Sequence, residues 1–170
     1  MRKLTLNGRT VLVTGAARGL GRQLALGLGV GEGSNLILVD RNERGLDFHL
    51  VVELSLLFLS RFKEKGEGFI CNITSLGSFV PIPYQAFYAA AKAAAQSFSE
   101  SLLLENRKGP VMISTVAPSG ILTDMIVESG LTNHMRTHRY SYLSAADAAG
   151  QVIRGMKRGK ENALTCRDPC

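Results

Sequence analysis

Tyr88 and Lys92 stand four residues apart in the alanine-rich stretch AFYAAAKAAAQSF, Ala86 to Phe98. Alanine is the strongest helix former, so this stretch is predicted helical, with the phenol and the ammonium on one face. A cation beside a phenol favours the phenolate, which would make the tyrosine a proton carrier. A packed tyrosine whose lysine neighbour reaches to water has the same spacing, and on this pattern alone that plainer arrangement is favoured. A second cluster tips the balance. TGAARGLG places Gly15, Gly19 and Gly21 directly after the β-branched run TVLVT, Thr10 to Thr14. Glycine permits a sharp turn and the close approach of a pyrophosphate, and the N-terminus of a following helix offers free N–H groups. Asp40 ends the next apolar run, NLILVD, 25 residues past Gly15. That is where a dinucleotide fingerprint places the carboxylate that binds an adenosine ribose. A carboxylate there repels a 2′-phosphate and so favours NAD, while Arg18 and Arg41 leave NADP possible. A plain tight turn with a solvated Asp40 is the weaker alternative.

These residues need a frame. Thr10 to Thr14 and Asn35 to Asp40 are predicted buried strands, GFICNITS a third, PVMISTVAP (Pro110 to Pro118) a fourth and ENALTC a short last one. Helices are predicted after the glycine loop, over Leu46 to Phe62, from about Gln85 to Asn106, and over SAADAAGQVIRGMKRG. In the last of these, Ser144 is the expected N-cap and Asp147 sits near the positive end. Strands alternating with helices predict an α/β fold, a Rossmann-like doubly wound parallel sheet of about five strands in a single domain over residues 1–170.

The chain carries 20 Lys and Arg against 14 Asp and Glu, scattered without a long run of one sign. No nucleic-acid partner is expected; a mild positive field suits a phosphate-bearing small molecule instead. The three cysteines, Cys71, Cys166 and Cys170, show no metal spacing and no paired framework, which suits a reducing compartment. His134 and His138 lack a metal-site motif and read as surface residues, and the Asn72 sequon falls in a predicted buried strand. No metal is expected. The N-terminus lacks the apolar run of a signal peptide, and LVVELSLLFL (Leu50 to Leu59) is too short to cross a bilayer. A cytoplasmic protein is expected, with peripheral membrane contact left open.

Three motifs, TGAARGLG, NITSLGSFVPIPYQAFYAAAK and VAPSGILTDM, resemble the short-chain dehydrogenase/reductase family in the same order along the chain. The family pattern falls on Thr14, Gly15, Gly19 and Gly21, with Arg18 and Leu20 in the same loop. The resemblance implies a catalytic trio of Ser75, Tyr88 and Lys92. Tyr88 would be general acid and base, Lys92 would tune it and hold the nicotinamide ribose, and Ser75 would hold the substrate oxygen. Pro118 and Thr123 match positions that border the nicotinamide, and Ser119 replaces the family's usual glycine. Ser78 is a poorer candidate than Ser75 because its offset from Tyr88 is ten residues.

The resemblance also exposes a gap. Between Asp40 and Phe69 only 28 residues replace a longer family segment, and Asn-Ala-Gly occurs nowhere. Two strands are therefore expected to be absent, one of them normally beside the first strand. The family's catalytic asparagine position falls near Asp47, whose carboxylate cannot donate as an amide does. The implied function is an NAD(P)-dependent oxidoreductase interconverting a secondary alcohol and a ketone. The apolar LGSFVPIPY hints at a lipophilic substrate such as a steroid, retinoid or fatty-acyl compound. The alternative is an inactive, truncated binding or interaction module. A homo-oligomer is expected, because relatives pair the two central helices across a dimer interface and Leu46 to Phe62 is apolar on several sides.

Overall fold

In the computed structural model, the described residues are 5–14, 16, 19–39, 48–81, 83–122, 143–158 and 162–165. Strand β1 (Thr10–Thr14) leads into α1 (Gly19–Leu26), which loosens into one wide turn over Gly27–Gly31. Then come β2 (Asn35–Val39), α2 (Phe48–Lys65), β3 (Gly68–Ile73) and a short 3₁₀ turn, Leu76–Ser78. Helix α3 (Ala86–Asn106) precedes β4 (Val111–Pro118). Two-residue strands β5 (Ile121–Leu122) and β6 (Leu143–Ser144) pair with each other, and α4 (Ala145–Lys157) and β7 (Asn162–Thr165) follow.

Five strands form one all-parallel sheet in the order β2-β1-β3-β4-β7. The β-branched and apolar runs alternate sides with the strand period of two, so both faces are greasy and both need cover. Val11, Val13, Phe69, Cys71 and Val116 point to one face, where Leu20 and Leu24 of α1 and Val152 and Met156 of α4 cover them. Leu12, Ile70, Val111 and Ile113 point to the other, under Leu59 and Phe62 of α2 and Leu102 and Leu103 of α3. Helix α2 ends at Gly66, whose φ of +77° is the left-handed turn that closes a helix. The amide of Glu67 then donates to Phe62 O at 3.1 Å. At the start of α4, Ser144 Oγ accepts from the Asp147 amide at 3.0 Å, as its type and place predict.

Two features bear on the site. First, β1 lies directly beside β3, in register Val11 with Phe69 and Val13 with Cys71, so no strand stands between the first strand and the strand leading to Ser75. Second, the chain leaves β1 outward to β2 and returns to β3 on the other side of β1. Loops at the carboxyl ends of β1 and β3 therefore diverge, and an open parallel sheet takes its ligands in the crevice at such a switch point.

Candidate active site

Ser75 follows β3 at that crevice and caps the 3₁₀ turn. Its backbone is extended, and its Oγ accepts from the Gly77 amide at 3.1 Å. With that lone pair occupied, the hydroxyl keeps its proton for a second acceptor, and Ser75 lies near enough to Tyr88 to pull the phenol's proton affinity down. Tyr88 sits in the first turn of α3, half-buried, and Lys92 follows one turn on. Lys92 Nζ lies 5.9 Å from the Tyr88 ring centroid and donates to Ile73 O at 3.1 Å. The serine, tyrosine and lysine singled out from the sequence thus converge at the end of one strand and the start of one helix.

The electrostatics differ from the sequence expectation. The lysine was to draw the phenol's proton affinity down. Instead burial pushes the Tyr88 phenol above its ordinary 10.0, with the nearby Ser75 hydroxyl pulling the other way. Burial also pushes the Lys92 ammonium below its ordinary 10.5. The larger influence on both groups is burial, and the ammonium's hydrogen bond goes to the Ile73 carbonyl.

Beneath the trio runs a buried polar network that the sequence reading missed. Asn72, 1% exposed, donates to Ser99 Oγ at 2.9 Å and to Ser55 Oγ at 3.2 Å. Thr74 Oγ1 lies 2.6 Å from Gln96 Oε1, and Gln96 Nε2 donates to Glu100 Oε1 at 2.7 Å. The signal was present: Gln96 and Ser99 are polar residues in the alanine helix, one turn and two turns beyond Lys92. The burial of Asn72 also removes any surface role for its sequon.

On the cofactor side, Thr14 ends β1, Leu20 and Gly21 are buried in α1, and Pro118 ends β4 half-buried. Gly19 opens α1 with φ +55°, a conformation that strains any residue with a Cβ. That glycine requirement at a helix N-terminus beside the switch point fits a pyrophosphate site. Gly15, Arg18, Asp40, Arg41 and Thr123 lie outside the described residues, as do Asp47, His134 and His138. Among the described residues no group of three or more His, Cys, Asp or Glu could hold a metal ion. Nor is any described helix long and apolar enough to cross a membrane.

Phe79, Val80, Tyr84 and Phe87 are exposed and lie between Ser75 and Tyr88 in the chain. Tyr84 is 95% exposed and, among the described residues, the one non-glycine with positive φ, +64°.

The family profile for short chain dehydrogenases matches residues 45–133, more than half of the 170. The chain belongs to the short-chain dehydrogenase family. It is 30% identical over 133 residues to the uncharacterized oxidoreductase DltE of Bacillus subtilis, covering 76% of this chain and 50% of that protein. It is 32% identical over 122 residues to a 3-ketodihydrosphingosine reductase of Bacteroides thetaiotaomicron, covering 68% of this chain and 45% of that protein. The chain thus spans about half the length of the curated relatives it matches. Among solved structures, a family member from Burkholderia phymatum in complex with NAD superposes with a TM-score of 0.72 at 16% identity, covering 95% of this chain and 90% of that one. A short-chain dehydrogenase from Sphingobium yanoikuyae in complex with NADPH superposes with a TM-score of 0.69 at 17% identity, covering 92% and 87%. These structural likenesses establish a Rossmann-like fold, and the two neighbours are complexes with NAD and with NADPH.

Proposed function

We propose that this short-chain dehydrogenase is an NAD(P)-dependent oxidoreductase that interconverts a secondary alcohol and a ketone. The observation that carries the reading is the convergence of Ser75, Tyr88 and Lys92 where β3 meets the start of α3, with Lys92 Nζ 5.9 Å from the Tyr88 ring and bonded to Ile73 O. In reduction, Tyr88, which holds its proton at neutral pH, gives it to the carbonyl oxygen while Ser75 donates a hydrogen bond to the same oxygen. In oxidation the two residues act in reverse, Tyr88 taking the hydroxyl proton. Bound NAD(P) would supply or accept the hydride. Gly15, Gly19 and Gly21 would receive its pyrophosphate, Lys92 its nicotinamide ribose, and Asp40 its adenosine ribose, with NAD preferred. The whole of residues 1–170 would work as one dinucleotide-binding domain, shortened between about 41 and 68.

A lipophilic substrate, steroid-, retinoid- or fatty-acyl-like, is supported by the uncharged, exposed Phe79, Val80, Tyr84 and Phe87, which lie between Ser75 and Tyr88 in the chain. The relative named as a 3-ketodihydrosphingosine reductase points the same way. Exposed Leu56 and Leu57 on α2 and Leu104 on α3 support pairing of two copies across these helices. A reducing, cytoplasmic setting suits the free, buried Cys71.

One observation favours a second reading, an inactive binding module. With β3 directly beside β1, Ser75 and Tyr88 stand one strand spacing, about 4.8 Å, nearer the glycine loop than an intervening strand would leave them. Hydride transfer needs the reacting atoms about 3–3.5 Å apart, so such a shift can silence chemistry while leaving binding. Calorimetric titration with NAD(H) and with NADP(H) tests the cofactor site. NAD(H) binding is expected to be the tighter; tighter NADP(H) binding would overturn the preference, and no binding of either would remove the site.

A further inference from the structure

We infer that Gln96 is a positioning residue for the Ser75–Tyr88 pair, acting through Thr74. This rests on the reading of Tyr88 as the proton carrier, but it can be tested without turnover. The last residues of β3 and the turn after it are tied to α3 one after another. Asn72 bonds Ser99, Ile73 O accepts from Lys92 and Thr74 bonds Gln96, while Ser75, next to Thr74, lies near enough to Tyr88 to influence its proton. The side chains of Asn72 and Thr74 reach Ser99 and Gln96 in turn, so moving up the strand moves back along the helix toward its start, and the ties together fix the register of α3 on β3. Tyr88 meets Ser75 only in that register.

The ties are not equal. Lys92 hangs on a flexible four-carbon stem, which fixes a helix poorly. Asn72 lies three residues upstream of Ser75. The Thr74–Gln96 bond is the shortest of those with a distance given, 2.6 Å, adjoins Ser75 directly, and is buried at both ends. Its polarity is determined. Val116 O already accepts the Thr74 amide at 2.7 Å and lies 3.2 Å from Thr74 Oγ1, so the hydroxyl proton goes to the nearer Gln96 Oε1. Gln96 Nε2 then faces the acceptor it needs, Glu100 Oε1, at 2.7 Å. Glu100 therefore locks the amide's orientation, and the amide locks Thr74. Methionine in place of Gln96 fills the same volume and can do neither.

Tyrosine labelled with ¹³C at Cζ, in the full chain without cofactor, reports the Tyr88 titration, with Tyr88→Phe giving the assignment. Ser75→Ala is expected to move that titration upward, because the serine hydroxyl is what pulls it down. Gln96→Met is expected to reproduce the Ser75→Ala shift, and the double variant to add nothing to it. Leu103→Ala, a destabilising change near the far end of α3, is expected to leave it unmoved. Should Gln96→Met not fold cooperatively by circular dichroism, Glu100→Ala replaces it and is expected to shift Tyr88 in the same direction. A Tyr88 titration unchanged in these Gln96 or Glu100 variants, an additive double variant, or an equal shift in Leu103→Ala would each overturn the assignment. Where turnover is measurable, kcat falls about tenfold with KM within about twofold, as expected for lost alignment rather than lost binding.

Discussion

Replacing Asn72 by aspartate changes one atom group in the most enclosed part of the network. The amide donates to Ser99 Oγ at 2.9 Å and to Ser55 Oγ at 3.2 Å. A carboxylate donates to neither. Two lost hydrogen bonds cost about 1–3 kcal/mol. Compensation is limited: Ser99 already gives its proton to Ala95 O at 2.7 Å, and Ser55 Oγ approaches Asn72 Oδ1 only to 3.4 Å. A newly buried charge adds to this, so the total is expected at about 3–5 kcal/mol at neutral pH, a large share of a stability of about 5–15 kcal/mol. Burial would raise the new carboxyl's pKa in the folded state. Folding therefore favours its protonated form, and the deficit shrinks as the pH falls through that raised value. Urea unfolding at pH 7.5 and pH 5 should show the larger deficit at pH 7.5, with unchanged m-values. A deficit below about 1 kcal/mol, or one that does not shrink in acid, would refute this picture of the network.

Three further outcomes follow from the same structure. A Cβ on Gly68 would run into Cβ and the ring of Phe62, near its rigid base, so Gly68→Ala should cost about 2–4 kcal/mol by calorimetry; a loss under about 0.5 kcal/mol would mean Phe62 packs elsewhere. The Cys71 thiol is buried and pushed up to about 12. In a Cys166→Ser, Cys170→Ser background it should alkylate only as fast as the protein unfolds, and rapid labelling of the native protein would contradict its place in the sheet. In a cofactor-free alkaline titration, Tyr88 should ionise later than a free tyrosine. Since its folded value is raised, its contribution to stability is full below pH 10.0 and is lost as the pH climbs beyond, so Tyr88→Phe should soften the alkaline loss of stability.

Much of the fold was legible because its signals are local. Apolar β-branched runs, glycine punctuation and the alanine helix mark the five strands of the sheet and the four α-helices among the described residues to within a few residues. The β5–β6 pair was not, because two residues per strand leave no periodicity to read. The wide turn at Gly27–Gly31 also went unseen; there Gly27 faces Ile153 and Gly29 faces Leu36, a tertiary packing demand. Within the site, the spacing of Ser75, Tyr88 and Lys92 was readable, and the three do converge. The direction of the Tyr88 shift was not, since spacing fixes proximity while burial, decided by the whole fold, sets the larger effect. Gln96 and Asn72 stayed hidden for a related reason. A polar side chain in a helix or strand reveals its partner only when the strand and helix are packed together.

The central claim is that Tyr88 moves the proton in an alcohol–ketone interconversion. The direct measurement is NADH formation from a panel of secondary alcohols by the parent chain and by Tyr88→Phe, which keeps the ring and deletes only the hydroxyl. The expected result is turnover in the parent and a loss of about 10²–10⁴-fold in the variant, the usual worth of a positioned acid or base. Equal rates in the two proteins would remove Tyr88 from the chemistry, and dinucleotide binding without turnover in the parent would leave the binding-module reading standing.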